Sequence, residues 1–316
     1  MRWNTIVGAG VWVLVLIAGQ LRWHELGWIE LAFLFAPLAV VPLGLELTWR
    51  AEAGLARLLP ERIARVLQLP GALAVTASFL LPRGRVAAML AAGWVLVCAL
   101  LALGSAVRIY DGGLRRFDST FPIVAFLYLP VAGAWLVASR LGLTPMNFQE
   151  PVVLLTAVHF HYAGFAAAVL ARSSRAASIR AERQLAGFLN CVALGVLTGP
   201  GLLASGFVIG PRVKLFAALL IAVSEVGLAV CFVHAIWCVD DIGAKLLIGT
   251  AAASVIFSML FAGIWAVGEY PLQPFVHLAE MARLHGTANA FGFTLCGLLG
   301  WMRAARTTPK LRSVWQ

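Results

Sequence analysis

The sequence is poor in charge. Only 12% of its 316 residues are Asp, Glu, Lys or Arg, about half the share found in soluble domains. The charges are clustered, and apolar stretches of about 20 residues, long enough to cross a bilayer, lie between them. The sequence therefore predicts an all-α, polytopic transmembrane helical bundle, which excludes a soluble globule.

Other signals are absent as well. The five cysteines lie in apolar stretches and include no Cys-x-x-Cys pair, so we expect them to act as small hydrophobic residues and expect no disulfide framework. No phosphate-binding glycine-rich loop with lysine, no His-Glu-x-x-His and no Gly-x-Ser-x-Gly occurs. No segment is large enough for a nucleic-acid-binding domain, so we attribute the net charge of +10 to loops held against an anionic bilayer leaflet. The expected partners are the lipid bilayer and a small or lipophilic molecule, and no nucleic acid.

The apolar stretches divide the chain into about ten predicted spans. If the amino terminus is cytoplasmic, most of the 24 Lys and Arg residues fall in cytoplasmic segments, as the positive-inside rule requires. We therefore expect a multi-pass protein of the bacterial inner membrane with both termini in the cytoplasm. The spans lie near 4–21, 28–49, 68–82, 86–107, 120–139, 150–171, 185–210, 213–238, 243–267 and 283–303.

One stretch outside the spans is amphipathic. Apolar residues recur at helical spacing through residues 50–67, with arginines between them. This pattern predicts a helix lying in the membrane interface, with a plain connecting loop as the alternative. No repeat or linker interrupts the chain, so residues 1–316 are expected to form a single membrane domain.

The sixth span carries the most unusual polar block, His159-Phe160-His161-Tyr162. Its depth is near mid-membrane, where an ionisable group is costly and often functional. Residues two apart on a helix point roughly 200° apart, so His159 and His161 cannot both bind one ion in an unbroken helix. His159 shares the more polar face, which makes it the stronger candidate. The alternative is that each neutral imidazole bonds a neighbouring helix.

Two later spans add further polar groups. His285 and Asn289 are four residues apart and therefore share a helix face. Glu225 lies near the middle of the eighth span, where a carboxyl is either protonated or paired. We predict His159, His161 and His285 as metal ligands, and Tyr162, Glu225 and Asn289 as groups that move protons or orient a substrate. Hydrogen-bonded packing roles remain the alternative for each.

The two histidine blocks carry a family resemblance. The run Leu-Thr-Ala-Val-His159-Phe-His161-Tyr162-Ala-Gly-Phe165 and the later His285-Gly-Thr-Ala-Asn289-Ala-Phe-Gly-Phe resemble the YndJ-like family of bacterial membrane proteins. The resemblance implies a multi-span membrane protein and points to the same histidines. It implies no particular reaction.

Three functions remain open from the sequence. The first is a membrane enzyme or redox protein that binds a metal ion or haem through the histidines and acts on a lipophilic small molecule. The second is a proton-coupled small-molecule transporter, whose pathway would be lined by a helix break at Thr198–Gly201, with a simple kink there as the alternative. The third is a non-catalytic assembly or sensing protein whose histidines only hold helices together.

Overall fold

The protein is helical throughout the part that the computed structural model describes, which comprises residues 2–51, 58–181, 186–270 and 275–308. Every regular element within these ranges is a helix. Long apolar runs with few charges favour this outcome, because a helix satisfies all its backbone polar groups internally. The predicted all-α membrane fold is confirmed.

Among the described residues, eight helical stretches are long and apolar enough to cross a membrane. The predicted spans near 68–82 and 283–303 are helical over most of their length but are not among these eight. The total of ten spans and the cytoplasmic position of both termini therefore stay predictions. The eight are Trp3–Gln20, Trp28–Arg50, Arg85–Tyr110, Phe117–Leu141, Val152–Ser178, Ala186–Ile209, Pro211–Ile236 and Ile242–Glu269.

The helices form two compact units, Met1–Ala166 and Ala167–Gln316. The single membrane domain expected from the sequence stays a prediction. The elements of the first unit are α1 (Arg2–Gln20), α2 (Trp28–Phe35), the π-helical segment π1 (Ala36–Val40), α3 (Val41–Ala51), α4 (Leu59–Phe79), α5 (Arg85–Tyr110), α6 (Phe117–Leu141), α7 (Val152–His159) and the π-helical segment π2 (Phe160–Ala166).

Close helix contacts and a buried ion pair hold α4 and α5 together in the first unit. A Cβ at Gly71 would lie 3.0 Å from the Gly93 carbonyl oxygen, and a Cβ at Gly104 would lie 2.8 Å from Cγ of Glu61. Glu61 is fully buried and accepts two hydrogen bonds of 3.0 Å from Arg108. The missing side chain of Gly104 thus leaves the space that this carboxylate occupies.

The predicted interfacial helix over 50–67 can be compared with the structure only in part, because residues 52–57 lie outside the described residues. Residues 59–67 form the first half of α4, which continues to Phe79 without interruption. Glu61 in this half is buried against α5, whereas Leu59, Ile63 and Val66 are exposed. The position of this stretch in the membrane interface stays a prediction.

The second unit contains α8 (Ala167–Ala181), α9 (Ala186–Ile209), α10 (Pro211–Ile236), α11 (Ile242–Glu269), α12 (Leu278–Thr287), the π-helical segment π3 (Ala288–Leu295) and α13 (Cys296–Thr307). Glycines again permit close approach. A Cβ at Gly195 of α9 would overlap Ser224 of α10, and one at Gly292 of π3 would overlap Ser254 of α11. Helix α9 runs through Pro200 without a break, so the helix break proposed at Thr198–Gly201 is wrong.

Candidate functional site

His161 is fully enclosed in the first unit, and both of its ring nitrogens have protein partners. The indole Nε1–H of Trp94 donates to His161 Nε2 over 3.0 Å. An indole can only donate, so Nε2 is the acceptor and the ring proton lies on Nδ1. That proton is donated to the Ala157 carbonyl at 2.8 Å. The imidazole is therefore neutral, and a metal could reach Nε2 only by displacing Trp94.

His159 has a different environment. It is half-buried, whereas His161 has no exposed surface. Its ring packs edge-on against Phe160 with 6.0 Å between the ring centroids. The sequence favoured His159 as the stronger ligand candidate, but the more completely enclosed and hydrogen-bonded imidazole is His161.

Tyr162 compensates for a missing backbone donor in the second span. In a π-helix each N–H bonds the carbonyl five residues earlier, and Pro37 has no N–H to offer Ala32. The Ala36 N–H bonds the Phe33 carbonyl and so does not replace it. The Tyr162 hydroxyl donates to the Ala32 carbonyl at 2.8 Å. This bond gives the buried Ala32 carbonyl the hydrogen-bond donor that Pro37 cannot supply.

A second proline creates the same need five residues later. Pro42 cannot donate to the Pro37 carbonyl, and the Val41 N–H bonds Ala36 instead. The side-chain amide of Gln68, which is fully buried, donates to the Pro37 carbonyl at 2.8 Å. Asn4 in turn donates to Gln68 Oε1 at 3.0 Å. Gln68 of α4 thus bonds π1 directly, Asn4 of α1 supports Gln68, and Tyr162 of π2 bonds the preceding helix α2.

In the second unit, His285 is bonded to Ser258 and Asn289. Its Nδ1 lies 2.9 Å from Ser258 Oγ and 3.0 Å from the Ser258 carbonyl oxygen. The Ser258 hydroxyl lies 3.2 Å from the His285 carbonyl oxygen, and Asn289 Nδ2 lies 3.2 Å from His285 Nε2. One arrangement satisfies all of these contacts: Nδ1 carries the proton, Ser258 Oγ–H donates to the His285 carbonyl, and Asn289 donates to Nε2. The other oxygen of this amide, Asn289 Oδ1, is buried and has no hydrogen-bond partner among the described residues.

Glu225 is the most costly polar group of the second unit. Its side chain is 3% exposed, and its Oε2 atom is buried without a hydrogen-bond partner among the described residues. The carboxyl sits in the middle of a helix long and apolar enough to span a membrane. An ionised carboxylate there would lack the bonds that normally offset its desolvation.

Helix register places Glu225 at the depth of Ser258. Helices α10 and α11 are joined near one end by Lys214 Nζ and Glu269 Oε1, 2.6 Å apart. Near the other end, a Cβ at Gly249 would lie 3.7 Å from Ile236. Glu225 is midway between the two α10 positions, and residue 259 is midway between the two α11 positions. The buried carboxyl therefore lies level with the hydroxyl that contacts His285.

The same face of α10 points toward the last helix. Phe232 lies seven residues after Glu225, which is two helical turns and the same face. Its ring centroid is 6.0 Å from that of Phe293 and 5.8 Å from that of Trp301. Glu225, Ser258, His285 and Asn289 are named here the unit-2 polar layer. Its four members come from α10, α11, α12 and π3.

Within the described ranges, no three His, Cys, Asp or Glu side chains gather in a way that could hold a metal ion. The nitrogens of His161 and His285 are already occupied by protein groups. The predicted metal roles of His159, His161 and His285 consequently gain no support from the geometry and stay predictions.

Comparison with known proteins bears on both histidine blocks. A family model described as YndJ-like protein matches residues 31–293, a range that includes both blocks. The chain belongs to the YndJ-like family. The resemblance seen in the sequence is thereby confirmed, and so is the assignment as a multi-pass membrane protein.

One relative among YndJ-like proteins is described as an uncharacterized membrane protein YndJ, from Bacillus subtilis (strain 168). It is 27% identical over 213 residues, which cover 66% of this chain and 37% of the relative. The chain therefore spans well under half of the length of that relative. No solved structure matches this YndJ-like chain.

Sequence reasoning missed several residues that hold these clusters in the YndJ-like chain. Ser258, Trp94 and Gln68 each bond a residue or backbone group of a cluster. Gln68 carried a usable signal, since an amide at the edge of an apolar run is unusual. Serine and tryptophan are common enough in membrane helices that Ser258 and Trp94 gave none.

Proposed function

We propose that this protein is a proton-coupled carrier of a small molecule, and that Glu225 binds the coupling proton. The observation that carries the proposal is the burial of this carboxyl in the middle of α10, with its Oε2 atom lacking a hydrogen-bond partner among the described residues. In a medium of low dielectric constant such a group is stable as the neutral acid. It can become ionised only when a positive charge or water reaches it.

The surroundings of Glu225 support a proton site that responds to its ligand. In the second unit, the helices packed on α10 carry Lys245 and Glu269 near the ends of α11, Cys191 near the start of α9, and Arg172 and Arg175 within α8. Ser178 of α8 contacts the Cys231 carbonyl of α10, so Arg172 and Glu225, each six residues earlier, lie at a similar depth. His285 is also near this depth, and its nitrogens are occupied. A guanidinium stays protonated in proteins, so the proton that exchanges at this depth is assigned to the carboxyl.

The three π-helical segments provide a second line of support. They interrupt the second, sixth and last apolar helices, at Ala36–Val40, Phe160–Ala166 and Ala288–Leu295. Such segments often occur at functional sites, and interrupted helices commonly line binding sites in carriers. Asn289 lies in the third of them, within the unit-2 polar layer.

Infrared difference spectroscopy of the purified protein tests the proton site. A pH jump should reveal the carbonyl band of a protonated carboxyl at neutral pH, and Glu225→Gln should remove this band. Glu280→Gln is a matched control, because Glu280 is exposed on α12 and should leave the band unchanged. A wild type without such a band, or a band that persists in Glu225→Gln, would refute the proposal.

A metal- or haem-binding enzyme remains the competing hypothesis, and it ranks lower. It requires His161 to release Trp94, and His285 to release Asn289 or Ser258. Metal content and the visible absorption spectrum of the purified wild type decide between the two. A stoichiometric metal or a haem spectrum that is lost in His159→Ala would restore this hypothesis.

A further inference from the structure

We infer that the unit-2 polar layer binds a small organic ammonium ion, which replaces the proton on Glu225. This inference rests on the proposed proton-coupled carrier and names its substrate class. It starts from two buried oxygens, Glu225 Oε2 and Asn289 Oδ1, that have no hydrogen-bond donor among the described residues. Each of these oxygens needs an N–H or O–H group as a hydrogen-bond donor.

The two oxygens lie at matching depth by two separate routes. Through α11, Glu225 is level with Ser258, whose hydroxyl contacts His285, and His285 contacts Asn289. The second route starts from the contact between the Phe232 and Phe293 rings. Glu225 lies seven residues before Phe232, about 10 Å along its helix, and Asn289 lies four residues before Phe293, about 6 Å along its own. Both routes bring the carboxyl to the depth of His285 and Asn289, and the Phe232–Phe293 contact shows that the face of α10 that carries Glu225 is turned toward the segment that carries Asn289.

The chemistry of the layer selects the ligand. A neutral hydrogen-bond donor would satisfy Asn289 but would leave an ionised Glu225 without a countercharge. A protonated amine supplies both, because its N–H groups donate to the two oxygens and its charge neutralises the carboxylate. His285 cannot compete for this role, since its single ring proton is already directed to Ser258.

Aromatic rings lie on the same side of α10 as Glu225, beginning about two helical turns from it. Phe232, Phe293 and Trp301 form a cluster with centroid separations of 5.8 and 6.0 Å. Aromatic faces attract cations and accommodate the apolar part of an organic amine. Ala222 and Ala229 flank Glu225 on its own face and limit side-chain crowding there. These features favour an organic cation with an apolar group over a bare metal cation.

Exchange follows from the cost of an uncompensated charge. When the amine cation R–NH₃⁺ arrives, the O–H bond of the Glu225 carboxyl breaks, its proton leaves for solvent, and the carboxylate pairs with the ammonium. One cation enters and one proton leaves, so the charge of the site is unchanged. Proton and amine are thus mutually exclusive ligands of one carboxyl.

Isothermal titration calorimetry of the full-length protein in detergent tests the inference, with benzylamine as the probe. We expect binding at pH 8 with release of about one proton per amine, measured in two buffers of different ionisation enthalpy. The affinity for benzylamine should fall about tenfold for each unit by which the pH is lowered, over the range in which Glu225 is protonated. Benzyl alcohol, a neutral molecule of similar shape, should not bind.

Two variants test the carboxyl and the aromatic cluster separately. Glu225→Gln should abolish benzylamine binding and proton release together. Phe232→Leu keeps an apolar side chain and should weaken binding several-fold while leaving proton release per bound amine unchanged. Phe232→Leu also carries the test if Glu225→Gln does not fold, since the expected loss of affinity with unchanged proton release is specific to the site.

The outcomes separate this inference from the proposed function. If the infrared band of protonated Glu225 is present but benzylamine does not bind, or sodium ions release the proton instead, the ammonium site is refuted and the proton-coupled carrier stands. If the infrared band is absent, both the ammonium site and the proton-coupled carrier are refuted. Binding that survives Glu225→Gln would also overturn the ammonium site.

Discussion

The hydroxyl of Tyr162 donates to the Ala32 carbonyl at 2.8 Å, and that carbonyl is the one for which Pro37 supplies no N–H. A side chain from the sixth span thereby replaces a backbone donor that the second span lacks. The same relationship recurs between Gln68 and the Pro37 carbonyl, where Pro42 supplies no N–H. Two prolines five residues apart are tolerated inside a buried helix because two side chains complete its hydrogen bonding.

The first prediction concerns this replacement. Tyr162→Phe removes the donor and leaves a buried carbonyl unsatisfied, so we expect a loss of about 1–3 kcal/mol in the free energy of unfolding. Denaturant titration in detergent measures it. Tyr110→Phe is the matched control, because Tyr110 is 92% exposed and should unfold like the wild type.

A double-mutant cycle sharpens this test. Pro37→Ala restores an N–H within reach of the Ala32 carbonyl, so Tyr162→Phe should cost less in the Pro37→Ala background than in the wild type. Equal costs in the two backgrounds would show that the hydroxyl does not act in place of the missing N–H.

The second prediction separates the two histidines of the sixth span. His161→Phe should lower the free energy of unfolding by about 2 kcal/mol or more, because it leaves the buried Trp94 N–H and the Ala157 carbonyl without their partner. His159→Phe should cost less, because His159 is only half-buried. Thermal unfolding in detergent compares the two variants. A larger loss for His159→Phe would contradict the structural role assigned to His161.

The third prediction concerns the ion pair between α4 and α5. Arg108→Met leaves the fully buried Glu61 carboxylate without its counterion, so we expect a loss of about 3–5 kcal/mol. Arg50→Met breaks a more exposed pair with Glu46 on one helix and should cost clearly less. The double variant Arg108→Met with Glu61→Leu should recover much of the loss. Failure to recover would show that Arg108 stabilises the unit by other contacts.

The fourth prediction concerns pH and lies outside the apolar spans. The Arg303 side chain and the Ala244 backbone N–H hold the pKa of the Asp241 carboxyl below its ordinary value. A lowered pKa in the folded state adds stability at neutral pH, and this contribution is lost as the pH falls below about 4. The unfolding midpoints of wild type and Asp241→Asn should therefore differ at pH 7 and converge toward pH 3. A constant difference across this range would contradict the assignment.

The membrane class and the family follow from the sequence alone. Scarce charge and apolar runs of bilayer length leave a helical bundle as the available fold, and the two histidine blocks carry the family resemblance. The sequence also marked His161, Tyr162, Glu225, His285 and Asn289 as unusual, because polar groups at membrane depth are costly wherever they point.

Only the tertiary structure decided what those groups bond. His161 and Tyr162 are separated by 67 and 130 residues from Trp94 and Ala32, and no local pattern encodes such pairings. Helix register likewise placed Glu225 level with Ser258, a serine that gives no signal in an apolar helix. Composition determines that a polar group in the membrane must be compensated. Which neighbour compensates it depends on packing between distant segments, and for Glu225 and Asn289 the described neighbours leave one oxygen of each without a donor.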